Sequence, residues 1–208
     1  METLNNKENK LIVYNQDNNT FILNSNNTSY ILKILDSGHL AHLYWGRRLR
    51  STNLDYVIRS RNWGSFLANT DNKENFMLEA ISQEYPGYGA TDLRSPAVEL
   101  QFSDGSSATD FRYVSHKIYE GKNKLEGLPA TYTENDEEAT TLEIVLKDTL
   151  KPVEIVLTYS VFKEFDAITR NVKVRNMGQE DVKILRVLSA NVDFNDDNFD
   201  MIQLSGSW

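Results

Sequence analysis

Leu142, Ile144 and Leu146 alternate with Glu143, Val145 and Lys147, and Val153, Ile155, Leu157, Tyr159 and Val161 carry the same two-residue period onward. That period sends successive side chains to opposite faces of an extended backbone, so both runs are committed to half-buried strands. The rest of the chain agrees. Shorter β-like runs at Leu11 to Tyr14, Thr20 to Leu23, Tyr30 to Leu35 and Leu40 to Trp45 are separated by Asn15 to Asn19 and Asn24 to Thr28, where asparagine suits tight turns. Ala167 to Arg175 and Val182 to Val192 read as long neighbouring antiparallel strands, joined through Asn176-Met177-Gly178-Gln179 with Gly178 able to take the left-handed position of a hairpin loop. Helix candidates are weak. Lys73 to Ile81 is one, although Phe76, Met77 and Ala80 would serve equally as a strand edge. Strands that follow one another without long helical patterns argue against βαβ units and for an all-β, antiparallel sandwich.

One region breaks this rhythm. From about Arg50 to Pro96 there is no sustained period, and the segment reads as an irregular insertion between the first strands and the rest. Its end, Glu84 to Ala97, holds two tyrosines, two glycines, two prolines and the pair Asp92 and Arg94. Proline fixes φ and glycine permits φ > 0, so the loop follows a specified path and presents side chains along it. Asp92 beside Arg94 reads as a structural ion pair before a poised catalytic carboxylate. The acidic cluster Glu134, Asp136, Glu137 and Glu138 reads as a solvated loop tip.

Composition narrows the function classes. The 208 residues suit one large domain, and 40% hydrophobic with 25% charged residues marks a globular chain. A formal charge of -8 repels phosphates and argues against a nucleic-acid groove. There is no cysteine, so no disulfide or thiolate metal site can form, and the chain suits a reducing compartment. The N-terminus lacks the apolar core of a signal peptide and no long apolar run could span a bilayer, so the expected location is cytoplasmic, without membrane contact.

His39, His42 and His116 do not form a metal pattern, because residues three apart on a strand face opposite sides; no metal or other cofactor is expected. Nucleophile-elbow, phosphate-loop and dinucleotide fingerprints are absent. Aromatic residues are a better clue. Tyr44, Trp45, Tyr56, Trp63, Tyr85, Tyr88 and Trp208 lie in or near the irregular region or at the chain's end, and aromatic faces flanked by polar groups stack on sugar rings. Each taken singly is equally explained by core filling.

Several motifs in order carry a resemblance. Leu40-Ala41-His42-Leu43-Tyr44-Trp45-Gly46, Leu54-Asp55-Tyr56, the Glu84 to Ala97 stretch, Asp110-Phe111-Arg112-Tyr113 and Gly127-Leu128-Pro129-Ala130-Thr131-Tyr132 resemble the N-terminal region of bacterial family 36 α-galactosidases. The resemblance runs from about Leu11 to Trp208. It implies that residues 1–208 form a galactose-mutarotase-like β-supersandwich, incomplete at its C-terminal end, which in the family precedes a catalytic (β/α)₈ barrel absent from this chain.

The resemblance also implies the chemistry. In the family, terminal α-1,6-galactose is cleaved from melibiose- or raffinose-type sugars with retention, which needs two carboxyl groups about 5 Å apart. Those aspartates belong to the barrel, so no residue of this chain is expected to be catalytic and the chain alone is expected to be inactive. Asp55 resembles a family aspartate that reaches the terminal galactose from a neighbouring subunit of a homotetramer, and Trp208 resembles a tryptophan lining the galactose subsite. A carboxylate can accept two sugar hydroxyls and an indole can cover the apolar sugar face. The alternatives are a stand-alone carbohydrate-binding module and a purely structural sandwich. Missing strands would leave open sheet edges that favour association.

Overall fold

The computed structural model describes residues 10–50, 53–58, 77–89, 94–194 and 198–206. Among the described residues ten strands build three antiparallel sheets. The first sheet is an up-and-down meander of β1 (Ile12–Asn15), β2 (Thr20–Asn24), β3 (Thr28–Ile34) and β4 (Leu40–Arg47). The asparagine-rich turns close it as their chemistry requires. Asn15 Oδ1 accepts the Asp17 amide at 3.0 Å, and Asn19 takes φ 53°, the left-handed region that asparagine tolerates.

A second meander runs β6 (Phe111–Glu120), β7 (Ala139–Asp148), β8 (Val153–Phe162) and β9 (Ile168–Asn176). The alternation that committed β7 and β8 sends Leu142, Ile144, Leu146, Ile155, Leu157 and Tyr159 inward. There they meet Phe21, Leu23, Tyr30 and Leu32 of the first sheet, making one core between two facing sheets. Pairing Ile144 with Leu157 and Leu142 with Tyr159 fixes the register, because a one-residue slip would turn this whole set to solvent. The fold is thus an antiparallel β-sandwich with almost no helix, the class expected.

The first sheet is also covered on its other face. Ile22, Ile31, Ala41 and Leu43 point away from the main core and pack with Leu54 and Ile81, which arrive on two short 3₁₀ turns, Asp55–Val57 and Leu78–Ala80. The second turn is the described part of the helix candidate that ended at Ile81. Residues 73–76 of that candidate, like Arg59, Arg61, Trp63, Asp92 and Trp208, lie outside the described residues.

The sequence reading erred at the last hairpin. β9 pairs with β8, whereas β10 (Val182–Val187) pairs with β5 (Val98–Phe102), so the two strands expected to be partners are not. The connection explains why. Asn176 ties it locally, accepting from the Gly178 amide at 2.9 Å and donating to Glu180 O at 2.7 Å, and the Met177 amide donates to Pro152 O at 2.8 Å. With those bonds made, Gly178 does not adopt positive φ, and the chain crosses to β5, where Val182 and Val187 reach the edge of the core. β10 also stops at Val187 rather than Val192, and Leu188 bonds to Ala97 and Tyr85. β5 and β6, which the sequence reading did not single out, supply Val98, Leu100 and Phe111 to the core.

Candidate functional site

Asp55 begins the 3₁₀ turn that follows buried Leu54, so packing of one leucine on the first sheet holds the carboxylate at the surface. Its Oδ1 meets Lys33 Nζ of β3 at 2.5 Å, with the Asp55 side chain 52% exposed. Among the described residues Oδ2 makes no bond. Tyr56 beside it is 81% exposed, the more open of the aromatics near this turn. A small cleft of about 120 Å³ lies behind the turn, lined by His42, Val57, Ile58 and Ile81, but Asp55 does not line it. One exposed carboxylate and one exposed ring do not by themselves enclose a sugar.

The expected sugar-stacking aromatics separate into two kinds. Tyr85 is buried, its hydroxyl donating to Leu188 O at 2.7 Å, and Tyr44 is half-buried with its hydroxyl on Arg47 O at 2.8 Å. These two are structural. Trp45 and Tyr88 are about half exposed, and Trp45 packs on Phe194, ring centroids 5.8 Å apart. Arg94 binds Leu78 O at 3.0 Å, Ile81 O at 2.7 Å and Asp193 Oδ2 at 3.1 Å, so it braces the loop against its surroundings. In the same loop Gly89 has φ +86°, and a Cβ there would stand 3.1 Å from Ala108, so only glycine fits.

The residue sequence reasoning missed is Glu84, fully buried between the sheets. Tyr30 Oη of β3 donates to its Oε2 at 2.7 Å, Tyr159 Oη of β8 donates to Oε1 at 2.7 Å, and His42 Nδ1 of β4 lies 3.2 Å from Oε2. Arg170 Nη2 of β9 stands 2.6 Å from Oε1 as a close ion pair rather than an aligned hydrogen bond. Burial, and then the Glu84 charge, push the Tyr30 and Tyr159 phenols well above the ordinary tyrosine range. Burial works against the Arg170 charge, yet Glu84 and the two phenols outweigh it and hold the guanidinium more firmly protonated than usual. The legible signal was Tyr159 itself, since a tyrosine at an inward position of an apolar strand needs a partner for its hydroxyl.

The three histidines go to different places, His42 to Glu84 as described. His39 Nδ1 lies 2.9 Å from Ser37 Oγ and its Nε2 lies 2.9 Å from Asp110 Oδ1, a serine–histidine–aspartate series. It is not poised for nucleophilic attack, because Ser37 and His39 are buried at 7% and 3% exposure. Burial pushes the Asp110 carboxyl up, but bonds from His39, Arg112 and Thr149 outweigh it and hold the group below the usual carboxylate range. The series is a brace between the β3–β4 turn and the residue that leads into β6. His116 packs on Tyr14 and Phe21 instead, and burial lowers its pKa. Among the described residues no group of three histidine, aspartate or glutamate side chains is arranged to hold a metal ion.

The sandwich and its surface turn have close relatives. Residues 38–208 match the glycosyl hydrolase family 36 N-terminal domain. The chain is 44% identical over 177 residues to α-galactosidase AgaA of Geobacillus stearothermophilus, covering 85% of this chain and 24% of the relative. It is 35% identical over 176 residues to α-galactosidase Mel36A of Lactobacillus acidophilus, again 24% of that protein, so it spans about a quarter of the length of these relatives. Among solved structures, an AgaA variant in complex with raffinose superposes with TM-score 0.79 at 42% identity over 85% of this chain and 24% of its own. The α-galactosidase of Lactobacillus brevis gives TM-score 0.86 at 32% identity over 95% of this chain and 27% of its own. The chain therefore belongs to glycosyl hydrolase family 36, of which it is an N-terminal domain.

Proposed function

We propose that this chain serves as the N-terminal domain of an α-galactosidase that removes terminal α-1,6-galactose from melibiose- and raffinose-type oligosaccharides. The observation that carries this reading is the likeness over 85% of the chain, at 42% identity, to an enzyme captured with raffinose. Retaining hydrolysis needs a pair of carboxyl groups on either side of one bond. The buried carboxylates described above are occupied in braces, so the acid and the nucleophile fall to residues outside this domain. The domain's part is to shape the sugar subsite and to support a homo-oligomer, a tetramer.

Within that assembly Asp55 and Trp208 touch the sugar. A half-exposed carboxylate on a surface turn, with Oδ2 unbonded among the described residues, suits delivery into a neighbouring subunit's site, where it accepts hydroxyls of the terminal galactose. Trp208 covers the apolar face of the same ring. In the full-length enzyme Asp55→Ala lowers kcat/KM by roughly tenfold or more, the scale of a lost charged hydrogen bond. Unchanged kinetics would sink this role.

The Lys33 contact favours a second reading, in which Asp55 is only a surface brace. On that reading Lys33→Ala and Asp55→Ala produce the same small loss of stability and leave catalysis alone. Calorimetry separates both from a stand-alone binding module, for which the isolated chain would give measurable heat with galactosides; none is expected.

A further inference from the structure

The inward set of Leu142, Ile144, Leu157 and Tyr159 leaves its alternates on the outer face of the second sheet. Strand register lines these up in rows. Lys117 of β6, Glu143 of β7, Thr158 of β8 and Asn171 of β9 form one row, with Tyr119 in the row above and Lys173, opposite Val156, in the row below. The connection that leaves β6 stays on this face. Thr141 Oγ1 donates to Gly121 O at 2.6 Å, Asn123 Nδ2 donates to Tyr119 Oη at 2.9 Å, and Lys122 Nζ donates to Thr131 O at 2.6 Å. Between this rim and the sheet lies a cavity of about 160 Å³, to which Tyr119, Lys122, Glu143, Thr158, Asn171 and Lys173 contribute.

The rim is bonded and the floor is not. Among the described residues the side chains of Thr158, Asn171 and Lys173 make no hydrogen bond or ion pair, although all three line the cavity. Glu143, the carboxylate in the lining, is already matched: Oε2 meets Lys117 Nζ at 3.1 Å and Oε1 accepts from Tyr119 Oη at 2.8 Å. Arg175, also in the lining, stands 3.8 Å from Glu154. Lys122 and Lys173 are then cations with no carboxylate partner among the described residues. On a chain of net charge -8 this local excess of positive charge opposes the charge of the whole and draws anions.

We propose that this cavity binds a phosphate group, either free phosphate or the monoester end of a small phosphorylated metabolite. It has room for roughly five waters and falls below the roughly 300 Å³ at which drug-sized ligands begin, so an oligosaccharide is too large for it and a tetrahedral oxyanion is not. Donors come from separate directions, Lys122 from the rim, Thr158 from β8, and Asn171 and Lys173 from β9, which suits oxygens arranged around a centre better than the two coplanar oxygens of a carboxylate. Glu143 keeps lone pairs for a hydroxyl, which hydrogen phosphate and a sugar monoester carry and sulfate does not. The cavity lies on the opposite face of the sandwich from Asp55 and does not depend on the galactosidase reading.

Titration calorimetry of the full-length protein with inorganic phosphate tests the site, with Kd on the order of 1 mM expected for a few charge-assisted hydrogen bonds. Lys173→Ala, at an exposed position outside the core, is expected to weaken binding about tenfold and Asn171→Ala about threefold. Lys183→Ala, which removes an exposed cation from β10, leaves it unchanged. Sulfate binds about tenfold more weakly, and Glu143→Gln abolishes that preference. No heat with phosphate, an equal loss in Lys183→Ala, or sulfate binding as tightly as phosphate overturns the proposal. Hexose 6-phosphate separates the two sources: binding tighter than phosphate and dependent on Lys173 makes the ligand a sugar phosphate, and equal or weaker binding makes it free phosphate. Binding of either ligand that survives Lys173→Ala unchanged belongs elsewhere and counts against the site.

Discussion

Glu84 and Asp55 are both carboxylates set against a cation at close to the same distance, 2.6 Å to Arg170 and 2.5 Å to Lys33. Glu84 is closed off from water and gathers donors from both sheets, whereas Asp55 is half exposed and among the described residues its side chain meets a single lysine. Contact distance therefore does not rank them. In the interior, removing one partner leaves the other as an uncompensated charge, while at the surface water takes its place. The buried pair belongs to the architecture, and the exposed one stays in contact with water.

Glu84→Ala is the largest expected effect, costing about 3–5 kcal/mol in urea unfolding because Arg170 is stranded; a loss under about 1 kcal/mol would put Glu84 in the same class as Asp55. Tyr159→Phe follows at about 1.5–3 kcal/mol, a lost hydrogen bond to a buried carboxylate, read from the same denaturation midpoint. Alkaline titration of stability probes the phenols directly. Tyr30 and Tyr159 are raised in the fold, so their contribution is fully present below the unfolded tyrosine value near 10 and is lost as pH rises above it, at about 1.4 kcal/mol per pH unit for each phenol that stays protonated. Unfolding midpoints flat through that range would mean the hydroxyls are less enclosed than their contacts indicate. Asp55→Ala is expected to be smallest in stability, about 0–1 kcal/mol, while carrying the kinetic loss given above. A large destabilisation with intact kinetics would reverse the comparison.

Particular residues show what was readable. The two-residue period of Leu142 to Val161 announced β7 and β8 and their inward faces, because alternation is local and the buried face is written into it. The asparagine turns likewise marked the first meander. The partner of β10 was not readable, since a short connection carrying glycine is equally compatible with a hairpin and with a crossing. Asn176's own hydrogen bonds and the burial of Val182 and Val187 decide between them. Val98 to Phe102 is short, and Phe111 to Glu120 carries a bulge between Tyr113 and Ser115 that interrupts its alternation, so neither strand stood out.

The candidate site divides in the same way. Asp55 was singled out through its motif, and its exposure is that of a polar residue between buried Leu54 and exposed Tyr56. Glu84 was not, although it opens the stretch that most distinguishes the sequence. Its partners Tyr30, His42 and Tyr159 lie 54, 42 and 75 residues away, separations that no local pattern encodes.

Local patterns along the chain suffice for the class of the fold, the inward faces of the long strands, the turns of the first meander and the family. Each depends on local period or on an ordered set of short motifs. Long-range packing settles that β10 leaves β9 for β5, that Ser37, His39 and Asp110 form a brace, and that Glu84 is the charge both sheets close around. The reason is physical: side-chain period is set by neighbours along the chain, whereas the standing of a charge is set by whatever distant groups replace its water.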